Sequence, residues 1–248
     1  MKKETAVFMP KKMMTFYKLT LQFVGRVCAS VPADPNVLKT WLKNRQPNIK
    51  PPGAKSPDEM LESILNRIPD MDAENKEIAQ RTLMVFERFD KAYLCVRSNT
   101  IRAHLKDCAR QVQKNFIGRD NDEQGMVNRF INCVYPEIEL RDEIGEGIIL
   151  FMWEGKPIEK NNGISEKLVH VQTSRGPINA IKHFEYLLRP SLSCTLQVFG
   201  HTIRQSHLEW VLKYGGIHGY GGERSMMDGQ YTYTLEPIGK HEEAKVNG

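Results

Sequence analysis

The amino-acid sequence predicts an α+β fold of the ferredoxin-like or RNA-recognition type: one antiparallel sheet, helices on one of its faces, and inserted loops or hairpins. Three observations predict it. Alternating strand patterns stand near both ends, "MTFYKLTLQF" and "QYTYTLEPI". Two segments carry an apolar helical stripe behind a capping residue. The order of elements is strand, helix, several strands with a basic helix among them, then strand, helix, glycine-rich loop and strand, which returns strands to one sheet.

Each element follows from local pattern. In "FYKLTLQF", Tyr17, Leu19, Leu21 and Phe23 alternate with Lys18, Thr20 and Gln22, the period of a half-buried strand; this strand is expected at the sheet centre, flanked by the last one. In "VPADPNVLKTWLKNR", Asp34 suits an N-cap and Pro35 the first helical position, before an apolar stripe of Val37, Leu38, Trp41 and Leu42. The Pro-rich "QPNIKPPGAKSPDE" is a loop, and a short helix follows from Ser56 or Asp58. "RTLMVFER" and "AYLCV" are expected as strands. "SNTIRAHLKDCARQVQKNF" is a helix capped by Ser98 or Asn99, with Ile101, Leu105, Ala109 and Val112 at helical spacing. Arg102, Lys106, Arg110 and Lys114 recur every four residues, so they form one basic stripe. Between residues 128 and 151 the chain reads as strands. "EGKPIEKNNGIS" is a hairpin or loop, "LVHVQT" a strand, "SRGPINAIKHFEYL" an irregular basic segment and "PSLSCTLQVFG" a strand. "RQSHLEWVLKYGG" is a helix ended by its glycines.

The 248 residues are 40% hydrophobic and 26% charged, with a formal charge of +5, which is compatible with a nucleic-acid partner without requiring one. Cysteines 28, 95, 108, 133 and 194 are odd in number and form no CxxC pair. That argues against a disulfide framework or zinc knuckle and for a reducing cytoplasm. No apolar run suits a signal peptide or a membrane span. No metal cluster and no cofactor motif stands out.

Six of the 18 glycines fall between Gly215 and Leu235, in "GGIHGYGGERSMMDGQYTYTL". The run lacks GxxxxGK[ST], fits no GxGxxG spacing, and leads into a strand rather than a helix, which excludes P-loop and Rossmann readings. Either the glycines form a C-cap and a turn, or they let the backbone approach something closely.

This segment resembles the C-terminal glycine-rich loop of the RAMP superfamily of CRISPR-associated proteins, at Gly219, Gly221, Gly222, Arg224, Ser225 and Gly229. "YLCVRSNTIRAHLKDCAR" is similar to that superfamily's strand, small-residue turn and basic helix, at Ser98, Thr100, Ile101 and Arg102. Val96-Arg97 stands where the superfamily usually has Pro-Gly. "FYKLTLQFVGRV" resembles its first strand. The resemblance covers about 60 residues at the two ends of the fold. It implies a single domain over 1–240, with insertions at about 43–90 and 128–190 and a flexible tail at 241–248.

The branch most similar is the backbone subunit that polymerises along guide RNA. The resemblance therefore implies guide RNA, further copies of the chain in a helical assembly and other effector-complex subunits as partners. It implies an RNA-binding surface of Ser98, Asn99, Arg102, Lys106, Arg110, Gly219, Gly221, Gly222 and Arg224, with Arg175 on a projecting hairpin. Glycines let amides reach phosphates, and the basic stripe neutralises them without reading sequence. On this reading Gly221→Val weakens RNA binding and leaves the fold largely intact. The alternative for the stripe is a solvated helix face. Two residues are catalytic candidates by resemblance to RNA-cleaving relatives: Asp34, which is equally a helix cap, and His218 inside the loop. A non-catalytic backbone subunit, an endoribonuclease of the same superfamily, and a phage or mobile-element assembly protein on the same fold all stay open.

Overall fold

The computed structural model describes residues 14–34, 36–40, 62, 83–112, 134–137, 139–141, 145–173, 176–200 and 203–238. The short helix expected from Ser56 or Asp58, the Arg175 position and the 241–248 tail lie outside them, apart from residue 62. The described strands are β1 (Met14–Phe23), β2 (Arg26–Cys28), β3 (Val31–Pro32), β4 (Leu83–Val85), β5 (Glu87–Phe89), β6 (Tyr93–Arg97), β7 (Val134–Glu137), β8 (Leu140–Arg141), β9 (Gly147–Trp153), β10 (Lys156–Pro157), β11 (Gly163–Thr173), β12 (Gly176–Leu188), β13 (Ser191–Phe199) and β14 (Tyr231–Ile238). Two long helices, α1 (Ser98–Val112) and α2 (Gln205–His218), join a single helical turn at 36–40.

The fold class is as the sequence predicts. Taken in chain order, β1, α1, β9, β13, α2 and β14 form a βαββαβ unit. Its strands lie side by side as β14-β1-β13-β9, antiparallel throughout. That is the ferredoxin-like arrangement; β6 and β5 extend it beyond β9. β1 is central and β14 flanks it. One face is covered and the other open, as β1 shows: Tyr17, Leu19, Leu21 and Phe23 are buried, while Lys18 and Gln22 are exposed. The buried side chains meet Ile101 and Leu105 of α1 and Leu208, Val211 and Leu212 of α2 in one core.

A second sheet, β11-β12-β4-β3 with β2 on β12, meets the first at a corner. The chain turns from β1 into β2 through Val24-Gly25, and from β12 into β13 through Arg189-Pro190. The two bends are tied by Phe23 N–H to Pro190 O (3.0 Å) and Arg189 N–H to Gly25 O (2.8 Å).

Two expectations are corrected. Within the segment expected to be irregular, Gly176 to Leu187 is strand: β12 pairs with β11 in register from Gly163↔Tyr186 to Thr173↔Gly176. Its opening Gly176-Pro177 reads as a turn, and the strand shows only through its pairing with β11. Nor does α2 stop at Gly215-Gly216. It runs through them to His218 and is capped by Gly219 (φ 84°).

Candidate nucleic-acid interface

The two glycines inside α2 are there for contact. A Cβ on Gly216 would lie 2.5 Å from the Tyr231 carbonyl oxygen, and one on Gly215 would collide with the Tyr231 hydroxyl and sit 3.0 Å from His104 Nε2. Their absence of side chains lets α1, α2 and β14 close on each other. His104 is buried there, 3.0 Å from the Tyr231 hydroxyl and edge-on to Tyr220. Burial, helped by the charges of Arg224 and His218, pushes its pKa down from 6.5 to about 4, so the ring is neutral.

Beyond α2 the loop folds back on β2. Tyr220 N–H donates to Gly229 O (2.9 Å), Gly229 N–H to Arg26 O (2.7 Å), and Gly222 N–H to Cys28 O (2.9 Å). A Cβ on Gly229 would run into the Tyr220 carbonyl, and one on Gly219 into that of Asp228. At Gly221 (φ 90°) it would lie 2.9 Å from Cys28 O, and at Gly222 2.5 Å from Ala29 O. The close approach is to protein backbone, and the amides of Gly219, Gly222 and Gly229 are committed within the fold. The expectation that Gly221→Val spares the fold is therefore corrected: a Cβ there presses on the Cys28 carbonyl from a left-handed backbone that valine adopts only under strain. The loop's far end is pinned by buried Asp228, which accepts from Arg26 at 3.1 and 2.9 Å and from the Cys28 thiol at 3.3 Å. Arg26 also lies over the Phe184 and Tyr186 rings.

The loop meets α1. Tyr220 and Thr100 hydroxyls are 2.7 Å apart, and Thr100 donates to Arg97 O. Arg224, exposed, reaches Asp107 Oδ2 (3.4 Å) and His218 Nε2 (2.8 Å). His218 stacks on Tyr214 and lies 3.6 Å from Asp107. A cleft of about 300 Å³ opens between the first turns of α1, the β2–β3 connection and Tyr220–Arg224. Arg97, where the superfamily pattern has a glycine, is buried and held by Glu87 (2.9 Å) and Glu146 (3.2 Å).

The structure does not put every predicted residue on that surface. Ser98 and Asn99 open α1 beside it. Arg102 turns to the opposite side, its guanidinium 4.2 Å from the centre of the Tyr135 ring on β7, and Lys106 and Arg110 continue that other face. Asp34 serves as a cap: its Oδ1 accepts from the amides of Asn36 (2.7 Å) and Val37 (3.1 Å). Among the described residues no group of three His, Cys, Asp or Glu is placed to hold a metal ion. No described helix is long and apolar enough to cross a membrane.

Sequence reasoning passed over three partners. Asp107 stands two helical turns from Thr100, on the same face, which a helical-wheel count would have found. Lys167 and Lys182 face each other across β11 and β12, a juxtaposition hidden while 174–187 read as irregular. Both bind Glu223 (2.9 and 2.7 Å). Burial opposes the charge on that carboxylate, but the two lysines outweigh it and hold its pKa below the usual glutamate range.

No family model matches the chain, and no curated protein does. Among solved structures, it is similar to a chain of a Type III-B Cmr-beta assembly bound to cognate target RNA, at 10% identity and a TM-score of 0.41. That match covers 92% of this chain and 61% of the other. It is also similar to a chain of a Type IV-B CRISPR complex, at 12% identity and a TM-score of 0.40, covering 91% and 92% of the two chains.

Proposed function

We propose that this chain is an RNA-binding subunit of a CRISPR-type ribonucleoprotein effector complex, a backbone member of the RAMP kind. It holds guide RNA through sequence-independent phosphate contacts and joins further copies of itself and other subunits in the cytoplasm. The observation that carries the reading is the contact of Tyr220 with Thr100. It brings together two motifs 120 residues apart, the glycine-rich loop and the start of the basic helix, on one edge of a ferredoxin-like sheet. Arg224 lines the cleft there, and Ser98 and Asn99, the first residues of α1, are assigned to the same RNA path. Arg102, Lys106 and Arg110 offer a second row of charge around the helix, and Arg175 belongs to the connection between β11 and β12. A head-to-tail contact between copies gives an open array that RNA can span. Filter binding of single-stranded RNA across a salt series tests this. Arg102→Ala with Lys106→Ala is expected to weaken all sequences alike and to lower the salt slope by about 1–2 units. An unchanged slope removes the stripe from the RNA path.

One observation favours a second reading, an endoribonuclease. His218 Nε2 has both an acid (Asp107 Oδ2, 3.6 Å) and a guanidinium (Arg224, 2.8 Å) within reach, groups that proton transfer and phosphate stabilisation can use. Metal-free cleavage of guide RNA that disappears in His218→Ala would support it; intact RNA after incubation with the native protein would reject it.

A further inference from the structure

We propose that Lys167 and Lys182 form a phosphate-binding site that the chain's own Glu223 occupies, so that RNA must displace an internal carboxylate to reach it. The inference rests on the RNA-binding reading and names a contact and its control. Lys167 and Lys182 are directly opposite in the β11–β12 register, and like charges so placed repel. An anion between them relieves that repulsion. Glu223 supplies it in a divided way: Oε1 takes Lys182 at 2.7 Å and Oε2 takes Lys167 at 2.9 Å. Two oxygens spread over two ammonium groups are also what a phosphodiester presents.

Two further features single out Glu223. Its backbone is left-handed (φ 55°), a conformation that costs a non-glycine residue energy, in a loop otherwise rich in glycine. The side chain, not the backbone, explains a glutamate there. And the site opens on solvent: a cavity of about 620 Å³ lies over it, lined also by Val169, His218, Arg224 and Ser225. Its lining carries three permanent cations, Lys167, Lys182 and Arg224, and one carboxylate, Glu223. Arg224 is shared with Asp107 outside it. The lysine side chains are 27% exposed and the Glu223 side chain 7%, so the cations face the cavity while the acid backs them.

The test uses the full chain, fluorescent single-stranded poly(U), and, separately, inorganic tripolyphosphate. Glu223→Gln keeps size and removes charge; Glu223→Asn also removes the charge, with a side chain one methylene shorter on a residue that tolerates the left-handed backbone. Both are expected to bind poly(U) roughly 5–30-fold more tightly than the native protein, since one or two partly exposed ion pairs no longer compete. The salt slope should steepen by about 1.4, two single-strand contacts. Lys167→Ala with Lys182→Ala in the Glu223→Gln background should abolish the gain. If the native protein binds poly(U) and both folded Glu223 variants bind it no better, the proposal is overturned and the RNA reading stands. If no variant binds poly(U), the RNA reading falls. In that case tighter tripolyphosphate binding by Glu223→Gln upholds the anion site for a free phosphate ligand, and unchanged binding overturns it.

Discussion

The two halves of the glycine-rich segment obey different physics. From Gly215 to Gly222 almost every glycine marks a place where backbone or ring presses on backbone, and Tyr220 and His104 seal the gap. From Arg224 to Met227 the chain is exposed; two left-handed residues, Glu223 and Met227, bracket the turn, and its charges reach Asp107, Lys167 and Lys182. A motif that reads as one functional unit is thus a structural clasp, Gly215 to Gly222 and again Asp228-Gly229, around a short charged display. What distinguishes them is what a substitution would disturb: packing in the first half, binding in the second.

The largest expected effect lies in the clasp. Gly229→Ala places a methyl on the Tyr220 carbonyl at a φ of 77°. A loss of about 3 kcal/mol or more is expected, seen as a fall in Tm of roughly 6–12 °C; a Tm within a degree or two of native would dissolve the distinction. Acid should strike the same place. His104 is neutral when folded (pKa about 4) and near 6.5 when unfolded. Between pH 6.5 and 4 the unfolded chain binds the extra proton, so stability falls as pH drops through that window, by about 3 kcal/mol in all. Urea midpoints against pH, in native protein and His104→Gln, would show the dependence flatten in the variant.

A smaller contrast sharpens the comparison between ion pairs. Asp228→Asn, in the clasp, leaves Arg26 half-buried among aromatic rings and is expected to cost about 2 kcal/mol, less than a fully enclosed pair because Arg26 is 28% exposed. Asp107→Asn, in the display, should cost under about 0.5 kcal/mol. Chemical denaturation measures both, and equal losses would erase the boundary between the halves. Smallest of all is Arg224→Ala. The melting curve should stay put while the poly(U) salt slope falls by about 0.7, one single-strand contact.

Much of this was legible in the sequence. Period-two patterns in 14–23, 191–199 and 231–238 mark three of the four strands of the βαββαβ unit, because one face of that sheet is buried and the other wet. The 98–112 helix follows from its stripe. The hairpin's second strand was hidden because its outer residues, Ile178 and Ile181 among them, are exposed, so burial leaves no clean alternation. The glycines announced close approach without saying to what. That Gly222 meets Ala29 rather than a phosphate depends on β2, nearly two hundred residues earlier. Glu223 and its lysines were illegible for the same reason: their proximity is set by a register and a corner, and no local spacing encodes either.

The placement of β1 has a consequence for how the protein is made. Its sheet neighbours are β13 and β14, whose first residues are Ser191 and Tyr231. At 5–20 residues per second, a ribosome needs roughly 8–35 s to travel from the end of β1 to the start of β13. Throughout that interval Leu19, Leu21 and Phe23 have no sheet to join. The nascent chain carries an adhesive strand ahead of its match, so crowding on a polysome is the moment of greatest risk for this fold, and slower synthesis prolongs it.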